Sequence, residues 1–405
     1  MKVIEINATY EYGSTGLIVR DIGRLLEQNG DEVRYIYQFG SCDVINGYRA
    51  GSHFDWKFHA LYTRITGKQA WASKVSTKQL LNYLNHEKPD VVHLHNLHAN
   101  YINLPMLLKY LAKQNIATVV TLHDCWFLTG KCCHFAATGC ERWKIGCGSC
   151  PKRKEKPRSL FCDASHLVAK KKAELFHDIN KLTIVGCSKW ISNIAKESFV
   201  FKGCDVTYIY NGVDTTVFAP KDRTECIRKL GITAKYILLG MAGKWLDERN
   251  REVFKTVLSK LSQDEVLVLV GCTDQQKQFL NNYHGVIAVG FVNDRELLSE
   301  YYNIADVFVN LTFEDTLPTV NMEALSSGTP VITYDSCGSP ELVLEGQTGY
   351  IVKQADVLSL IKAIVAIKDK KINRVTCGAE AIRHFDKNIN YQQYLRLFRQ
   401  LVEKE

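Results

Sequence analysis

Proline is scarce in this sequence, with eight residues in 405, and no low-complexity tract interrupts the chain. Long apolar runs are also missing, since no stretch approaches the roughly 18 consecutive apolar residues that a membrane-spanning helix requires. The first residues, MKVIEINATY, alternate like a strand and lack the features of a secretory signal. These absences exclude disordered and membrane-spanning classes of protein, and they predict a folded protein of the cytoplasm.

The length exceeds what one hydrophobic core supports, so we expect two domains of roughly 150 to 200 residues. The formal net charge of +8 suits a phosphorylated substrate, an anionic membrane or a nucleic acid, and does not choose among them. Basic and aromatic residues are mixed over residues 49–78, which include Trp56, Lys57, Phe58 and Arg64. Such a segment is typical of a helix on lipid headgroups and equally of a solvated helical face over a core.

Strand-like segments rich in valine and isoleucine alternate with helical segments in two successive series. This pattern predicts an α/β protein made of two doubly wound, Rossmann-like parallel sheets that face each other across a cleft. We expect an N-terminal domain at 1–205, a linker at 206–220 and a C-terminal domain at 221–385. The final helix, at 386–405, is expected to pack on either domain, including back on the first.

The dinucleotide fingerprint G-x-G-x-x-G is absent after the first strand, and no acidic residue ends the second strand. A nicotinamide-dependent enzyme is therefore disfavoured. Gly13 and Gly16 nevertheless open a helix at this point, where the backbone can approach an anion. The alternative is an ordinary tight turn.

Histidines gather at the ends of two strands. The segment VVHLHNLH contains His93, His95 and His98, and TLHD places His123 and Asp124 after the next strand. Open parallel sheets bind ligands at the carboxyl ends of their strands, and imidazole can donate a hydrogen bond to a sugar hydroxyl or a phosphate. Strand alternation puts His93 and His95 on one face, and we expect one of them in the core and the other in the cleft.

The strongest single signal lies in the second series, in FEDTLPTVNMEALSSGTP. A strand ends at Glu314 and Asp315, a helix opens around residues 317–320, and Glu323 lies on that helix. Free N–H groups at the start of a helix can hold a diphosphate, and carboxylates accept hydrogen bonds from sugar hydroxyls.

The combination of TLHD, NGVD, EDTLPTVNMEAL and SGTPVI resembles glycosyltransferase family 4 over nearly the whole chain. The resemblance implies the GT-B fold and retaining transfer of a hexose from a nucleotide sugar. It also implies a pair of acids with the spacing E-x7-E. Asp315 and Glu323 have this spacing, whereas Glu314 is one position too far from Glu323. Asp315 would contact the donor hexose and Glu323 the nucleotide ribose. His123 resembles the family histidine that contacts the donor sugar, and these three are the expected catalytic residues.

The family also places basic residues on the diphosphate, in a segment that resembles GKWLDERNREVF. Arg249 aligns with the arginine that is usual in the family. Asn250 and Arg251 stand where the family has a lysine and a glycine, so Lys244 or Arg251 would have to supply the missing positive charge. The expected donor-binding set is Gly16, Lys244, Arg249, Leu317, Thr319, Val320 and Glu323. The expected acceptor side is Gly13, His95, His98 and Asp124.

Five of the 14 cysteines fall within residues 130–151. The spacing of Cys132, Cys140, Cys147 and Cys150 ends in a two-residue knuckle that is typical of tetrahedral zinc sites, inside an insertion expected at 125–162. Free thiols, an iron–sulfur cluster or a redox pair at the last two cysteines are the alternatives. No recognition helix follows the knuckle, so we expect no nucleic-acid partner.

The segment HDCWFLTGKC...GCERWKIGCGSCP further resembles bacterial family 4 enzymes that build exopolysaccharide, capsule or O-antigen, of the colanic-acid type. That resemblance implies a UDP-, GDP- or dTDP-hexose donor, no catalytic metal and a lipid-linked saccharide acceptor. It also implies peripheral contact with the anionic inner face of the cytoplasmic membrane.

Two other functions stay open at this stage. Asn250 motivates a scaffold or binding protein that has kept the fold and lost donor affinity. A GT-B-like epimerase or phosphorylase is the third hypothesis, although no lysine for pyridoxal phosphate is evident and the chain is short for a phosphorylase.

Overall fold

The computed structural model describes residues 1–40, 44–232, 234–370 and 372–403, and divides the chain into two compact units. Unit 1 comprises Met1–Asn211 and Asn388–Glu405, and unit 2 comprises Gly212–Lys387. Each unit contains one parallel sheet whose strands alternate with helices, which confirms the predicted α/β class. Positions 404 and 405 of the predicted terminal helix lie outside the described residues.

The sheet of unit 1 has seven parallel strands in the order β3-β2-β1-β4-β5-β6-β7. The strands are β1 (Lys2–Ile6), β2 (Glu32–Tyr37), β3 (Gly47–Arg49), β4 (Val91–Leu94), β5 (Ala117–Leu122), β6 (Leu182–Gly186) and β7 (Asp205–Tyr208). The central strands β4 and β5 are buried at every position, as expected for a parallel sheet covered on both faces. The strand order reverses between β1 and β4, and this switch point is where ligands of such sheets bind.

Six helices of unit 1 lie between its strands, and a seventh follows from the end of the chain. They are α1 (Gly13–Gln28), α2 (His53–Thr66), α3 (Lys74–Glu87), α4 (Leu104–Gln114), α5 (Ser165–His177), α6 (Lys189–Glu197) and the terminal α15 (Lys387–Glu403). The start of α2 is well defined, because Ser52 and Asp55 form a reciprocal capping box.

The terminal helix α15 completes the core of unit 1. Tyr391, Tyr394 and Phe398 are buried in the same cluster as Val3, Ile22 and other residues of this unit. The Tyr394 hydroxyl also lies 3.0 Å from Thr121 Oγ1 on β5. The last helix therefore packs in the first unit, although unit 2 separates it from the rest of that unit in the chain.

Unit 2 has a six-stranded parallel sheet in the order β10-β9-β8-β11-β12-β13, with its switch point between β8 and β11. The strands are β8 (Tyr236–Met241), β9 (Glu265–Val270), β10 (Val286–Ala288), β11 (Val307–Asn310), β12 (Val331–Tyr334) and β13 (Gly349–Val352). The helices are α7 (Arg223–Leu230), α8 (Ala242–Trp245), α9 (Arg251–Lys260), α10 (Asp274–Leu280), α11 (Arg295–Ile304), α12 (Thr319–Ser326), α13 (Val357–Lys370) and α14 (Arg374–Phe385).

Strand β7 overlaps the first residues of the range 206–220 that was expected as a linker. It pairs with β6 at the edge of the sheet, and none of its four residues is fully buried. An edge strand without a buried face carries little hydrophobic signal, which is why the sequence pattern did not mark it. Within the described ranges, no helix combines the length and apolarity needed to cross a bilayer.

Candidate active site

The switch point of unit 1 begins with the turn that joins β1 to α1. Gly13 has a φ of +68°, in the left-handed region that favours glycine. A Cβ on Gly16 would lie 3.0 Å from Thr9 Oγ1 and 3.3 Å from the Glu11 nitrogen, so a larger residue would require these neighbours to shift. No side chain caps the start of α1. The first turn can therefore offer amide groups to an anion.

A buried hydrogen-bonded network lies beneath this switch point. The Glu5 carboxylate on β1 accepts from His95 Nε2 at 2.7 Å and lies 2.9 Å from His93 Nδ1. His95 Nδ1 lies 2.8 Å from His123 Nε2, and His93 Nε2 lies 2.7 Å from Thr121 Oγ1. The two histidine partners outweigh burial and hold the pKa of Glu5 at about 2. A buried carboxylate is thus connected through His95 to His123.

The proton arrangement in this network determines which nitrogen of His123 is basic. Burial lowers the pKa of His95 to about 4, so His95 is neutral near pH 7. Its Nε2 proton is donated to Glu5, which leaves Nδ1 of His95 to accept the Nε2 proton of His123. His123 Nδ1 then carries the lone pair. We infer that His123 accepts a hydrogen bond at Nδ1, whereas the sequence suggested a donor.

The prediction that either His93 or His95 reaches a ligand is wrong. Both side chains are 0% exposed, because strand alternation points both of them at the buried Glu5 carboxylate. His95 cannot contact an acceptor directly. Its position makes it a support for His123 instead.

His98 and Asp124 form a second polar pair at the same edge of the sheet, with 2.9 Å between His98 Nε2 and Asp124 Oδ2. Burial alone would raise the pKa of Asp124, but His98 and the Trp126 amide lower it to about 2. Ligand atoms of His98, Asp124 and Cys133 all lie within 4.8 Å of one another. This group is close enough together to share a cation.

The switch point of unit 2 contains the basic residues expected at the diphosphate. Arg249 donates to both carboxylate oxygens of Asp247, at 2.9 and 2.7 Å, and its guanidinium lies 4.1 Å from the centre of the Phe313 ring. The side chain is half exposed, so its orientation is set by one acid and one aromatic ring. Arg251 instead pairs with Glu248 at 3.0 Å.

Asn250 has a structural reason to differ from the expected lysine. Its side chain is 0% exposed, and its amide donates to the carbonyls of Lys244 and Leu311 at 2.9 Å each. Its Oδ1 accepts from Tyr334 Oη at 2.7 Å. Asn250 therefore joins the loop after β8 to the end of β11, a place where a lysine would bury an unpaired charge. The exposed Lys244 forms no ion pair within the described residues and is the available cation.

The acidic loop after β11 leads directly into α12. Asp315 Oδ1 accepts from the Leu317 amide at 3.1 Å, so that amide is engaged within the loop. Helix α12 begins at Thr319 without a side-chain cap. Its first amides, including that of Val320, are the ones available to an anionic ligand.

Glu323 lies one turn into α12 and is partly buried. Its Oε2 accepts from the hydroxyl of the buried Tyr302 at 3.1 Å. Burial raises the pKa of Glu323 to about 7, and the charge of Arg295 and the Tyr302 hydrogen bond oppose this shift only in part. The carboxyl group thus has unused acceptor capacity, which suits hydroxyl donors from a ligand.

The cysteine loop follows Asp124 in unit 1. Cys132, Cys140, Cys147 and Cys150 all line one cavity of about 20 Å³, large enough for a single water-sized occupant. The Gly130 amide donates to Cys147 Sγ at 3.2 Å, and Cys147 and Ser149 have φ values of 62° and 44°. Among the described residues, the groups of three possible metal ligands whose atoms lie within 4.8 Å of one another do not include these four cysteines. The zinc site therefore stays a prediction.

Two lysines are buried beside the cysteine loop. Lys131 donates to the carbonyls of Lys152 and Glu155. Lys172 donates to the Thr129 carbonyl, and its Nζ lies 3.6 Å from the centre of the Trp126 ring. Neither forms an ion pair with a carboxylate of the described residues. Burial lowers the pKa of both lysines, to about 7 for Lys172, so nearby negative charge is needed to keep them ionised.

Sequence reasoning missed Glu5, Tyr302 and Lys172. Glu5 did leave a signal, because it is the one acid in a strand whose other residues after Lys2 are valine and isoleucine. Tyr302 and Lys172 lie on amphipathic helices, where a polar side chain carries no indication of what it contacts.

The two-sheet fold described above is that of the GT-B glycosyltransferases, and comparisons with known proteins identify the family. The family model for Glycosyltransferase Family 4 matches residues 16–217, and the model for glycosyl transferases group 1 matches residues 222–384. The chain belongs to the glycosyltransferase family that these two models describe, and it is a transferase enzyme.

Relatives and solved structures agree with this assignment. A colanic acid biosynthesis glycosyl transferase, WcaC of Escherichia coli K12, is 24% identical over 379 residues, which are 89% of this chain and 90% of that protein. Sucrose-phosphate synthase from Thermosynechococcus elongatus has a TM-score of 0.73 at 16% identity, with complete coverage of both chains. Anabaena HepE in complex with UDP-glucose has a TM-score of 0.64 at 14% identity, covering 99% of this chain and 100% of that one.

Proposed function

We propose that this enzyme transfers a hexose, with retained configuration, from a nucleotide sugar to a lipid-linked saccharide during synthesis of a bacterial surface polysaccharide. The observation that carries this proposal is the arrangement at the switch point of unit 2. There the start of α12, which has no side-chain cap, the carboxyl group of Glu323 and the exposed Lys244 follow the ends of β8 and β11. This combination suits a sugar nucleotide, which offers a diphosphate and several hydroxyl groups.

Each group has a defined part in the reaction. Glu323 accepts hydrogen bonds from the ribose, and Asp315 contacts the donor hexose. The first amides of α12, with Lys244 and Arg249, stabilise the negative charge that develops on the diphosphate as the anomeric C–O bond breaks. His123 Nδ1 accepts a hydrogen bond from a hydroxyl of the transferring sugar, and that interaction strengthens as the anomeric centre becomes positive.

The acceptor assignment is supported by the relatives and by one helix. A UDP-Gal:alpha-D-GlcNAc-diphosphoundecaprenol alpha-1,3-galactosyltransferase of Escherichia coli is 25% identical over 205 residues, 45% of this chain and 52% of that protein. Lipid-linked acceptors of this kind suit capsule, O-antigen, lipopolysaccharide or exopolysaccharide synthesis at the inner face of the cytoplasmic membrane.

Helix α2 exposes an apolar stripe that fits such a membrane contact. Phe54, Phe58, Leu61 and Ile65 are 77%, 58%, 55% and 46% exposed, and they recur with helical spacing on one face. Arg64 lies beside them. An apolar stripe flanked by cations is typical of helices that lie on anionic lipid surfaces.

The proposed function is tested by a donor screen followed by a transfer assay. We expect one of the common UDP-, GDP- or dTDP-hexoses to bind in calorimetry, and a membrane extract to yield labelled lipid with that donor. Nuclear magnetic resonance of the product should show the anomeric configuration of the donor. Binding of no nucleotide sugar would favour a scaffold, and an inverted product would contradict the retaining mechanism.

We also propose that Cys132, Cys140, Cys147 and Cys150 hold one structural Zn²⁺. The donor set fits, since four thiolates around a cavity of about 20 Å³ form a closed shell. A zinc ion with four thiolates carries two negative charges, which the buried Lys131 and Lys172 balance. The free energy of zinc binding would also offset the strain of the left-handed backbone at Cys147 and Ser149.

Replacing Cys147 with serine is expected to remove the metal and lower the melting temperature by roughly 5 to 10 °C, because a structural ion contributes directly to folding. Metal analysis of the purified parent should find one equivalent of zinc. Cys162→Ser is the matched control, since Cys162 is exposed in the same insertion and should leave zinc and stability unchanged. A parent protein free of zinc and iron would indicate free thiols.

A further inference from the structure

A cavity of about 550 Å³ lies within unit 1, beside the His98–Asp124 pair. Helix α2 contributes Trp56 and Arg64 to its wall, the loop after β4 contributes His98, and the end of the cysteine insertion contributes Lys156 and Arg158. The cavity is large enough for several phosphate and sugar groups.

The charge of this pocket is of one sign. Arg64, Lys156 and Arg158 are exposed and form no ion pair with any described residue, and no acidic side chain lines the wall. Asp124 lies behind His98 and orients that ring. Three uncompensated cations around one cavity attract a ligand with more than one negative charge, and arginine is suited to phosphate oxygens.

Apolar surface continues from the pocket along the same helix. Trp56 and Arg64 lie on α2, whose neighbouring face carries the exposed stripe described above. The exposed Leu160 extends that surface, because its amide donates to the Arg64 carbonyl at 2.8 Å. A ligand whose phosphates occupy the pocket could therefore extend an apolar chain along α2.

We propose that this pocket binds the diphosphate of a prenyl-diphosphate-linked saccharide, with the sugar next to the diphosphate packed against Trp56. This inference rests on the proposed function and deepens it, since it restricts the acceptor to one whose sugar is attached directly to a lipid diphosphate. The donor diphosphate is assigned to unit 2, so the two phosphate sites are distinct. The pocket also adjoins Asp124, the residue after His123.

The test uses the full-length protein and geranyl diphosphate as the probe, with saturating UDP present to occupy the donor site. We expect the double variant Arg64→Gln/Arg158→Gln to bind the probe at least about 100-fold more weakly, because two charged contacts to phosphate are lost. Lys57→Gln, which removes a cation from α2 outside the pocket, should change the affinity less than twofold. Affinity for the nucleotide sugar should be the same in all three proteins.

Each other outcome has a separate meaning. If the parent binds the nucleotide sugar but not geranyl diphosphate, or if both variants bind the probe equally well, the pocket assignment is overturned and the proposed function survives. If no nucleotide sugar binds, the proposed function itself fails. If the double variant keeps geranyl diphosphate but no longer binds vesicles of phosphatidylglycerol, the pocket is a phospholipid site and the inference is wrong.

Discussion

Replacing Glu323 with alanine is expected to lower kcat/KM for the nucleotide-sugar donor by about 100- to 1,000-fold. Among the described residues, the Tyr302 hydroxyl donates to Oε2 of this carboxylate, and the ribose hydroxyls would supply further hydrogen bonds. Loss of hydrogen bonds to a charged group costs about 1.5–3 kcal/mol each, and 1.36 kcal/mol corresponds to a factor of ten. Initial rates over a range of donor concentrations measure the effect.

The pKa of Glu323 adds a second, independent signature. Burial raises this pKa to about 7, and hydroxyl donors of the ligand favour the ionised form. Donor affinity should therefore weaken as pH falls below 7, by up to about tenfold per pH unit. A nucleotide sugar is the proper titrant, because its phosphates do not titrate in this range. The Glu323→Gln variant should bind weakly with no such pH dependence, and an unchanged slope would assign the titration to another group.

The same variant separates catalysis from folding. Because the pKa of Glu323 is about 7 in the folded protein, the proton stays bound up to about that pH, whereas the unfolded chain releases it near the ordinary pKa of 4.5. Ionisation of Glu323 consequently reduces the stability of the folded state as pH rises between these values. Glu323→Gln should thus be at least as stable as the parent at pH 8 in thermal unfolding, while its activity is lost.

Replacing His123 with alanine is expected to lower kcat by about 100-fold, because a group that stabilises charge in the transition state is lost. Binding of the nucleotide diphosphate, which lacks the sugar, should be unchanged. Calorimetry with UDP or GDP provides that control. Loss of nucleotide binding would show that the substitution disturbs more than the sugar contact.

Glu5 and His95 are positioning residues, because they act on the substrate only through His123. Glu5→Gln should lower kcat by about tenfold, within the range seen when a supporting partner is lost. The double variant Glu5→Gln/His123→Ala should be no slower than His123→Ala alone, since the network then has nothing left to orient. Multiplied losses in the double variant would mean that Glu5 has only a structural role.

Much of the architecture was predictable because its signals are local. Runs of valine and isoleucine predicted the central strands, such as β4 and β5, and the switch from strand to helix periodicity predicted the two α/β units. Residues after those strands marked the candidate site of each unit, including Asp124 in unit 1 and Asp315 in unit 2. Edge strand β7 was not predicted, because a strand without a buried face has no such periodicity.

Partners distant in the chain could not be predicted in the same way. Asn250 stands where a phosphate-binding lysine was expected. Its side chain nevertheless connects the loop after β8 to Leu311 and Tyr334, which follow it in the chain by 61 and 84 positions. Lys172 had the pattern of a surface lysine, although it is buried over Trp126. Neither contact is encoded in spacing along the chain.

The order of residues along the chain was sufficient for the fold class, the family and the types of side chain at the strand ends, since these depend on periodicity and short motifs. Three-dimensional packing was needed for the roles of individual side chains. The packing places His95 behind His123, where it can support that ring and cannot bind a ligand itself. It also brings Trp56, His98 and Arg158 together around one pocket. The reason is that charge, burial and proton position depend on neighbours that the fold brings together.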